Sequence, residues 1–270
     1  MDLNLPIIAV IGNKKTGKTS VVEFLTQAFN NKGINVVTAK HISQKNFSID
    51  DKDTDTYRHY HAGAKRVICV SHSEIAVLIR DIKLKFSLES LGEFIKDADL
   101  LLLEGFSKNI IKNPNVGKIV CIKNRDLSTY KNAIKGEIVA FCSLNLPESG
   151  EVLNINNNIE KIFNNSLIFY NRSRMILGIL NSLPRINCKK CGYQSCEEMA
   201  FSIYKGIAKI NNCITLTNKE KSKIRIKIDG EELPLNPFVS NMIYGVTMSM
   251  LESLKRTSIN RRKKLSINVM

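Results

Sequence analysis

The sequence predicts an α/β fold in which helices cover both faces of a mostly parallel β-sheet, followed by a smaller α+β unit. Three observations lead to this prediction. Short runs within the first 145 residues are apolar almost throughout, as in strands that are buried on both faces. Helix-patterned segments alternate with these runs, which is the order found in a parallel sheet. A compact group of cysteines then occupies a part of the chain with a different pattern.

The first predicted strand, PIIAVIG, leads into a predicted helix, TGKTSVVEFLTQAFNNKG. Apolar residues recur at helical spacing in that helix, and Gly33 suits its C-terminal cap. A second predicted helix, SLESLGEFIKDA, comes directly before one of the strands. The remaining strands predicted for this sheet are NVVTAKHI, RVICVS, DLLLLEG, KIVCIK and EIVAFCS.

The pattern of the chain changes after the last of these strands. Residues 144–166 are rich in Asn and are predicted to form the end of the first domain and a connection to the second. IFYNRSRMILGILNSL is predicted to be helical, and KIRIKIDGEELPL to form a hairpin that turns at Asp229 and Gly230. The last predicted helix begins with Asn236 as its N-cap and Pro237 as its first residue. Its apolar stripe is predicted to face the core, with a dimer surface as the alternative: Val239, Met242, Ile243, Val246, Met250 and Leu254.

GNKKTGKTS, which begins at Gly12 and ends at Ser20, matches the pattern G-x-x-x-x-G-K-[ST] of a phosphate-binding loop. It lies between a predicted strand and a predicted amphipathic helix, which is the context that this loop requires. Its glycines let successive N–H groups wrap a phosphate, and the helix presents its positive end to the same anion. The fold is therefore expected to be of the P-loop NTPase type, with a nucleotide bound by Gly12, Asn13, Lys14, Lys15, Thr16, Gly17, Lys18, Thr19 and Ser20.

A nucleotide site of this type also uses a magnesium ion and an acid from another strand. Lys18 can reach the outer phosphates, and Thr19 can offer its hydroxyl to Mg²⁺. Glu104 ends the strand DLLLLEG and is the expected acid. Lys18 and Glu104 are therefore the candidate catalytic residues, and Thr19 and Glu104 the candidate Mg²⁺ ligands. The loop after the second strand is interpreted either as a solvated loop or as a switch-like loop that meets the metal, through Asp50, Asp51, Asp53 and Asp55.

The formal net charge of +15 attracts polyanions such as nucleotides, nucleic acids and acidic proteins. The lysines are spread along the chain, and the densest basic run, at 261–264, lacks interleaved aromatic residues that would stack bases. Binding to nucleic acid is therefore not expected. No apolar run reaches the roughly 18 residues of a membrane span, and MDLNLPIIAVIG lacks the features of a signal peptide. We expect a cytoplasmic protein that does not contact a membrane.

The chain contains seven cysteines. Three of them lie singly in apolar strands and are predicted to be small buried hydrophobic residues: Cys69, Cys121 and Cys142. The other four have the spacing C-x₂-C-x₄-C-x₁₆-C and are candidate metal ligands: Cys188, Cys191, Cys196 and Cys213. Zinc sites more often have two separated C-x₂-C pairs, whereas three ligands in one compact loop and a distant fourth suit a [4Fe–4S] cluster. The stretch NCKKCGYQSCEEMA also resembles the four-cysteine iron–sulfur domain of electron-transfer subunits and corrinoid iron–sulfur proteins. A [4Fe–4S] cluster is expected, with Zn²⁺ as the alternative.

Four segments together resemble the family of molybdopterin-guanine dinucleotide biosynthesis protein B: GNKKTGKTS, TAKHI, DKDTDTYRHYHAGA and DADLLLLEGF. The resemblance covers roughly residues 5–145. It implies a GTP-binding, slowly GTP-hydrolysing P-loop protein, usually a dimer, that assists the nucleotidyltransferase joining GMP to molybdopterin. It also implies that Lys40 and His41 of TAKHI, and Asp55 and Arg58 of the third segment, contribute to cofactor binding.

These observations predict a nucleotide-binding domain at residues 1–166 and an iron–sulfur domain, with the hairpin and last helix, at residues 167–270. The first hypothesis is an accessory protein of molybdenum or tungsten cofactor maturation. Its partner would be the cofactor nucleotidyltransferase or a molybdenum or tungsten enzyme, and it would form a homodimer. The second hypothesis is that nucleotide hydrolysis drives electron delivery from the cluster to a metalloenzyme. The third is a zinc-bearing module that binds nucleic acid.

Overall fold

The computed structural model describes residues 3–44, 47–80, 87–124, 127–219, 224–233, 235, 237–253 and 265–269. The basic run at 261–264, the predicted N-cap Asn236 and the stripe residue Leu254 lie outside these ranges. The chain divides into two compact units, Met1–Tyr170 and Asn171–Met270, and each is described by itself. No helix in the described ranges is long and apolar enough to cross a membrane.

The first unit is built on a parallel sheet of six strands with the order β2-β5-β1-β6-β7-β8. The strands and helices, in chain order, are β1 (Ile7–Gly12), α1 (Lys18–Asn30), β2 (Val36–Lys40), α2 (Asp55–His61), β3 (Arg66–Val70), β4 (Ile75–Ile79), β5 (Leu100–Glu104), α3 (Ser107–Ile110), β6 (Gly117–Cys121), α4 (Leu127–Ala133), β7 (Ile138–Ser143), β8 (Val152–Asn154) and α5 (Ile155–Asn181). The boundary between the two units falls within the sequence of α5.

The strands of this sheet are apolar on both faces because each face has its own core. Ile8 and Val10 of β1 belong to one core, which α1 and α5 complete with residues such as Leu25 and Phe163. Ile7, Ala9 and Ile11 of β1 belong to the other core, which also contains residues of α3 and of the loops before β5 and β6. The predicted fold class, a parallel sheet with helices on both faces, is confirmed.

SLESLGEFIKDA is helical, as predicted, and forms a 3₁₀ helix over Leu88–Phe94. Two other predictions for the first unit were wrong. RVICVS forms β3, but this strand pairs with the unpredicted β4 in a separate antiparallel ribbon, so Ile68 and Val70 remain exposed and Cys69 is only half-buried. The segment 144–166 belongs to the end of the first unit but does not form a connection to the second, because it contains β8 and the first turns of α5. Its Asn residues serve the turn and the cap: Asn154 donates to the Leu146 carbonyl and accepts from the N–H of Asn156.

Two local predictions that rest on glycine are confirmed. Gly33 ends α1 with a φ of +75°, and the N–H of Ile34 bonds to the Phe29 carbonyl at 3.1 Å. This is the hydrogen bond of a Schellman cap. In the second unit, Asp229 and Gly230 both have a positive φ and join two antiparallel strands, as a two-residue hairpin turn requires.

The second unit is the predicted smaller region of helices and strands. It contains α6 (Cys196–Tyr204), α7 (Ile214–Lys219), β9 (Ile224–Ile228), β10 (Glu231–Glu232), α8 (Pro237–Glu252) and β11 (Leu265–Val269). β9 lies between β10 and β11 and is parallel to β11. Pro237 is the first residue of α8, as predicted, but only part of the apolar stripe faces the core. Ile243 packs against that core, whereas Met242, Val246 and Met250 are exposed, because the adjacent face, with Tyr244 and Met248, packs on Ile224.

Lys118 is a charged side chain that the sheet buries completely. It lies on β6, and its ammonium group donates to the carbonyl of Lys135 at 2.6 Å and to the carbonyl of Asn113. Burial removes water from the charged form and therefore lowers the pKa of Lys118 to about 8. The two carbonyl bonds keep the buried ammonium satisfied at neutral pH.

We predict that Lys118 makes the free energy of unfolding depend on pH. The unfolded chain holds this proton up to pH 10.5, whereas the folded chain releases it near pH 8, so stability rises with pH between these values. The gain amounts to roughly 3 kcal/mol at most. Urea unfolding of the wild type and of Lys118→Met at several pH values tests this. The free energy of unfolding of the wild type should increase relative to that of Lys118→Met as the pH rises from 8 to 10.5. If the difference between the two free energies stays constant, the pKa of Lys118 is not lowered by folding.

Candidate nucleotide and cysteine sites

The phosphate loop joins β1 to α1 and needs glycine at both of its glycine positions. Gly12 pairs with Cys121 across the sheet and has a φ of +142°, and a Cβ atom there would lie 2.0 Å from the Cys121 carbonyl oxygen. Gly17 has a φ of +87°, and its Cβ atom would lie 2.6 Å from the side chain of Ile155. The first glycine therefore lets two backbones approach, and the second lets the chain turn into α1 under the start of α5.

The loop is held in shape by its own side chains. Thr16 is buried and its hydroxyl donates to the Asn13 carbonyl at 2.9 Å. The Lys18 ammonium donates to the same carbonyl, so the lysine of the motif already curls over the loop. Lys14 and Lys15 are exposed beside it. The result is a concave loop at a helix N-terminus with three ammonium groups around it, which is a suitable environment for a polyphosphate.

Glu104 connects this loop to two neighbouring strands. Its Oε1 atom accepts a hydrogen bond from the Thr19 hydroxyl at 2.9 Å and pairs with the Lys40 ammonium at 3.1 Å. The sheet explains the meeting, because β5 lies between β1 and β2 and Glu104 is the register partner of both Val10 and Lys40. The Glu104 side chain is 12% exposed, whereas the Lys40 side chain is 56% exposed. Thr19, Lys40 and Glu104 thus come together, although 85 residues separate Thr19 from Glu104.

The residues that follow β2 and β5 also contact each other. The N–H of His41 donates to the Glu104 carbonyl at 2.9 Å. The His41 ring lies 5.3 Å from the ring of Phe106, which is buried and has a φ of +58°. Gly105 lies between them, where a Cβ atom would be 3.3 Å from that of His41. His41 is therefore close to the site, and its ring packs on Phe106.

Asp55 and Arg58 lie on α2, where they pair with each other at 3.4 Å and are exposed. In the described part of the chain, no hydrogen bond or ion pair links them to the phosphate loop. Asp50 has a structural role that the sequence did not reveal. Its carboxylate accepts the hydroxyls of Thr54 and Thr56 at 2.5 and 2.8 Å and pairs with Arg80 at 2.5 Å. The Thr54 bond, followed by the Arg80 bond, lowers the pKa of Asp50. Both of its oxygens are occupied, so it fixes the start of α2.

Arg80 was missed by the sequence analysis. Its guanidinium group lies 4.8 Å from the ring of Tyr60 and 5.4 Å from that of Tyr57, and it is the partner of Asp50. No motif marks this residue, because a single Arg after a short strand has no distinctive pattern. Arg80 directly follows β4, a strand that the sequence pattern did not predict.

The four candidate cysteine ligands belong to one part of the second unit. Cys196 begins α6 and Cys213 precedes α7, and both are buried in a core with Leu180 and Met199. Cys191 packs against this core, and the sulfur of Cys188 lies 3.3 Å from the Thr215 hydroxyl. That hydrogen bond lowers the pKa of Cys188, whereas burial raises the pKa of Cys213. In the described ranges, no three His, Cys, Asp or Glu side chains are gathered closely enough to hold a metal ion.

The backbone around the first two cysteines has an unusual conformation. Asn187, Lys189 and Gly192 have φ values of +46°, +59° and +87°. Left-handed residues that alternate with others turn N–H groups toward a common concave side, which is a frequent backbone arrangement at phosphate and iron–sulfur sites. The Asn187 side chain also accepts the N–H of Cys196 at 2.8 Å and so joins the loop to α6. Four thiols and this backbone are a donor set that fits a thiolate-bound metal centre.

Two family descriptions match the chain. Residues 7–143 match the family described as "Molybdopterin guanine dinucleotide synthesis protein B". Residues 183–215, which contain all four candidate cysteine ligands, match the family described as "Putative Fe-S cluster". The first match covers the six-stranded sheet up to β7 and includes the phosphate loop and Glu104.

Two relatives have similar sequences. A Methanocaldococcus jannaschii protein, named "Putative molybdopterin-guanine dinucleotide biosynthesis adapter protein", is 27% identical over 263 residues, which are 97% of each chain. A Haemophilus influenzae protein, named "Molybdopterin-guanine dinucleotide biosynthesis adapter protein", is 29% identical over 113 residues, or 41% of this chain and 62% of that one.

Solved structures of similar proteins align with part of the chain. A MobB homologue from Bacillus stearothermophilus is 19% identical, with a TM-score of 0.43, and the match covers 62% of this chain and 98% of that one. For a Bacillus subtilis MobB structure the identity is 19%, the TM-score is 0.45 and the covered shares are again 62% and 98%.

Proposed function

Because the chain belongs to the family of molybdopterin guanine dinucleotide synthesis protein B, we propose that its first unit binds GTP and Mg²⁺ between the phosphate loop and Glu104. The observation that carries the proposal is the 2.9 Å contact between the Thr19 hydroxyl and Glu104 Oε1. Two neighbouring ligands of an octahedral Mg²⁺ ion, each about 2.1 Å from it, lie about 2.9 Å apart. The contact is a hydrogen bond in the structure, and its length also allows the two oxygens to share a magnesium ion.

Each residue has a defined task in this proposal. The loop amides and Lys18 bind the outer phosphates, and Thr19 and Glu104 would hold Mg²⁺, which neutralises phosphate charge when it is bound. Glu104 already accepts two donors, so it is better suited to holding a cation than to taking a proton from water. We therefore propose slow hydrolysis of GTP. The guanine preference rests on the family and not on any residue described above.

We propose that the whole chain acts as an adapter in molybdopterin guanine dinucleotide formation. The support is the Methanocaldococcus jannaschii relative, which aligns with 97% of this chain and is named for that role. Its partner would be the nucleotidyltransferase that forms the dinucleotide or a molybdenum or tungsten enzyme that receives it. The absence of disulfides among the seven cysteines is consistent with a reducing compartment, and we propose the cytoplasm.

The nucleotide site predicts a loss of affinity in Lys18→Ala. The substitution removes a charged hydrogen bond to phosphate worth about 1.5–3 kcal/mol, so GTP should bind at least about tenfold more weakly. Calorimetric titration with GTP in the presence of Mg²⁺ measures this. Lys96→Ala is the matched control, because Lys96 is exposed next to the opposite end of β5. An affinity of Lys18→Ala equal to that of the control would refute the site.

For the second unit, we propose that Cys188, Cys191, Cys196 and Cys213 bind a [4Fe–4S] cluster. The match of residues 183–215 to an iron–sulfur family and the left-handed backbone at Asn187 and Lys189 support this. The thiols of Cys196 and Cys213 are buried, so a metal there would be protected from water on that side. The proposed cluster is closed by Cys213, which comes after α6 and not from the loop itself.

Metal analysis of protein purified without oxygen tests the cluster. We expect four iron and four sulfide per chain in the wild type, as the cluster type requires, and loss of both in Cys213→Ser. Cys69→Ser is the control, because Cys69 lies in β3, away from the four ligands in sequence, and should leave the iron content unchanged. If the purified protein is colourless and contains one zinc per chain, the four cysteines form a zinc site and the cluster proposal is wrong.

We also propose that two copies of the chain associate through the ribbon of β3 and β4. One face of the ribbon carries Ile68, Val70, Ile75 and Val77, which are 63, 73, 69 and 45% exposed. They form two cross-strand pairs, Ile68 with Val77 and Val70 with Ile75. A two-stranded ribbon is only marginally stable alone, and an exposed apolar face of this kind marks an interaction site. A second copy offers the same apolar face to cover it.

We predict that lysine side chains on the apolar face of the ribbon prevent two copies of the chain from associating. In Ile68→Lys/Ile75→Lys, two ammonium groups would be buried in the interface, so the protein should be monomeric by light scattering while the wild type is dimeric. Ile207→Lys provides the comparison, because Ile207 is 74% exposed but lies in the second unit. A wild type that is monomeric at micromolar concentration, or a double variant that remains dimeric, would exclude this interface.

A further inference from the structure

The Oε1 atom of Glu104 is fully engaged. It accepts from the Thr19 hydroxyl at 2.9 Å and from the Lys40 ammonium at 3.1 Å. A carboxylate oxygen has two lone pairs, so these two donors use both of them. Lys40 is therefore bound to the same oxygen that the proposed function assigns to Mg²⁺.

The surroundings make this ion pair easy to exchange. The Glu104 carboxylate is largely buried and needs a cation or a strong donor at its oxygen. The Lys40 side chain is 56% exposed, so its ammonium can leave Glu104 and be hydrated with little rearrangement. Lysine carries a compact charge on a flexible stem, which suits such movement. Nothing else in the described contacts fixes the Lys40 ammonium in place.

We infer that Lys40 is a built-in counter-ion that occupies the magnesium position of the nucleotide-free protein and is exchanged for Mg²⁺ when nucleotide binds. The inference rests on the proposed function of the Thr19–Glu104 site. It assigns Lys40 a positioning and ordering role: Lys40 pairs with Glu104 and orients it, and it prevents Mg²⁺ from binding before the nucleotide does.

Electrostatics gives the order of events. Without nucleotide, Mg²⁺ would approach an already neutralised carboxylate beside a phosphate loop that carries Lys14, Lys15 and Lys18. The positive charges of this loop repel a divalent cation. The phosphates of a nucleotide bring enough negative charge to reverse this balance. Mg²⁺ therefore enters together with the nucleotide, and Lys40 is released into the solvent that already reaches its side chain.

The test measures Mg²⁺ binding to the nucleotide-free protein. Wild type, Lys40→Met and Lys40→Met/Glu104→Gln are unfolded by heat in EDTA and in increasing Mg²⁺, and Mg²⁺ binding is measured by calorimetry. Lys40→Met should bind Mg²⁺ alone about tenfold more tightly than the wild type, because a competing charged hydrogen bond is gone. Its unfolding temperature should fall in EDTA and recover with Mg²⁺. The double variant should lose this response.

The inference is overturned if Lys40→Met responds to Mg²⁺ no more than the wild type does, or if the double variant responds as strongly as Lys40→Met. Lys40→Gln, which also lacks the charge but keeps a polar end, replaces Lys40→Met if that protein does not fold. Lys40→Arg retains a cation and should behave as the wild type. GTP titration of the wild type with and without Mg²⁺ is independent of these variants, so its failure would remove the proposed function itself.

Discussion

The parallel pairing of β1 with β5 on one side and β6 on the other is the constraint on which the nucleotide site depends. It aligns the carboxyl ends of three strands, so that Gly12 lies against Cys121 and Val10 against Glu104. The phosphate loop can leave β1 at this edge because Gly12 has no side chain to meet the Cys121 carbonyl. The same alignment places Glu104 within reach of Thr19, the second residue of α1. If the register of β5 shifted by one residue, the Glu104 side chain would point to the other face of the sheet and could not bond to Thr19.

The charged groups that the first unit shields from solvent are each satisfied by a particular partner. Glu104 has Thr19 and Lys40, Asp50 has Arg80 and two threonine hydroxyls, and Lys118 has two backbone carbonyls. Only the first of these sets has a partner that is largely exposed and free to exchange. The other two hold α2 and the start of β6 in place. This difference separates a site that can change its ligand from contacts that stabilise the fold.

Much of this architecture could be predicted from sequence because the signals were local. Apolar runs gave the strands, and the glycine and lysine spacing gave the phosphate loop. Gly33 and the Asp229–Gly230 turn each marked a chain reversal. The errors came from tertiary pairing: RVICVS is as apolar as the other strands, and only its partner β4 shows that it leaves the main sheet. Likewise, the apolar stripe on α8 did not reveal that Tyr244 and Met248 pack on β9. The Lys40–Glu104 ion pair could not be predicted from the sequence, because the sequence does not show that β2 lies next to β5.

We propose above that Glu104 and Thr19 hold the magnesium ion that accompanies GTP. Calorimetric titration of the wild type and of Glu104→Gln with GTP, over a series of Mg²⁺ concentrations, is the decisive measurement. GTP should bind the wild type more tightly as Mg²⁺ increases, and Glu104→Gln should lose most of this dependence. An equal dependence on Mg²⁺ in the two proteins would contradict it.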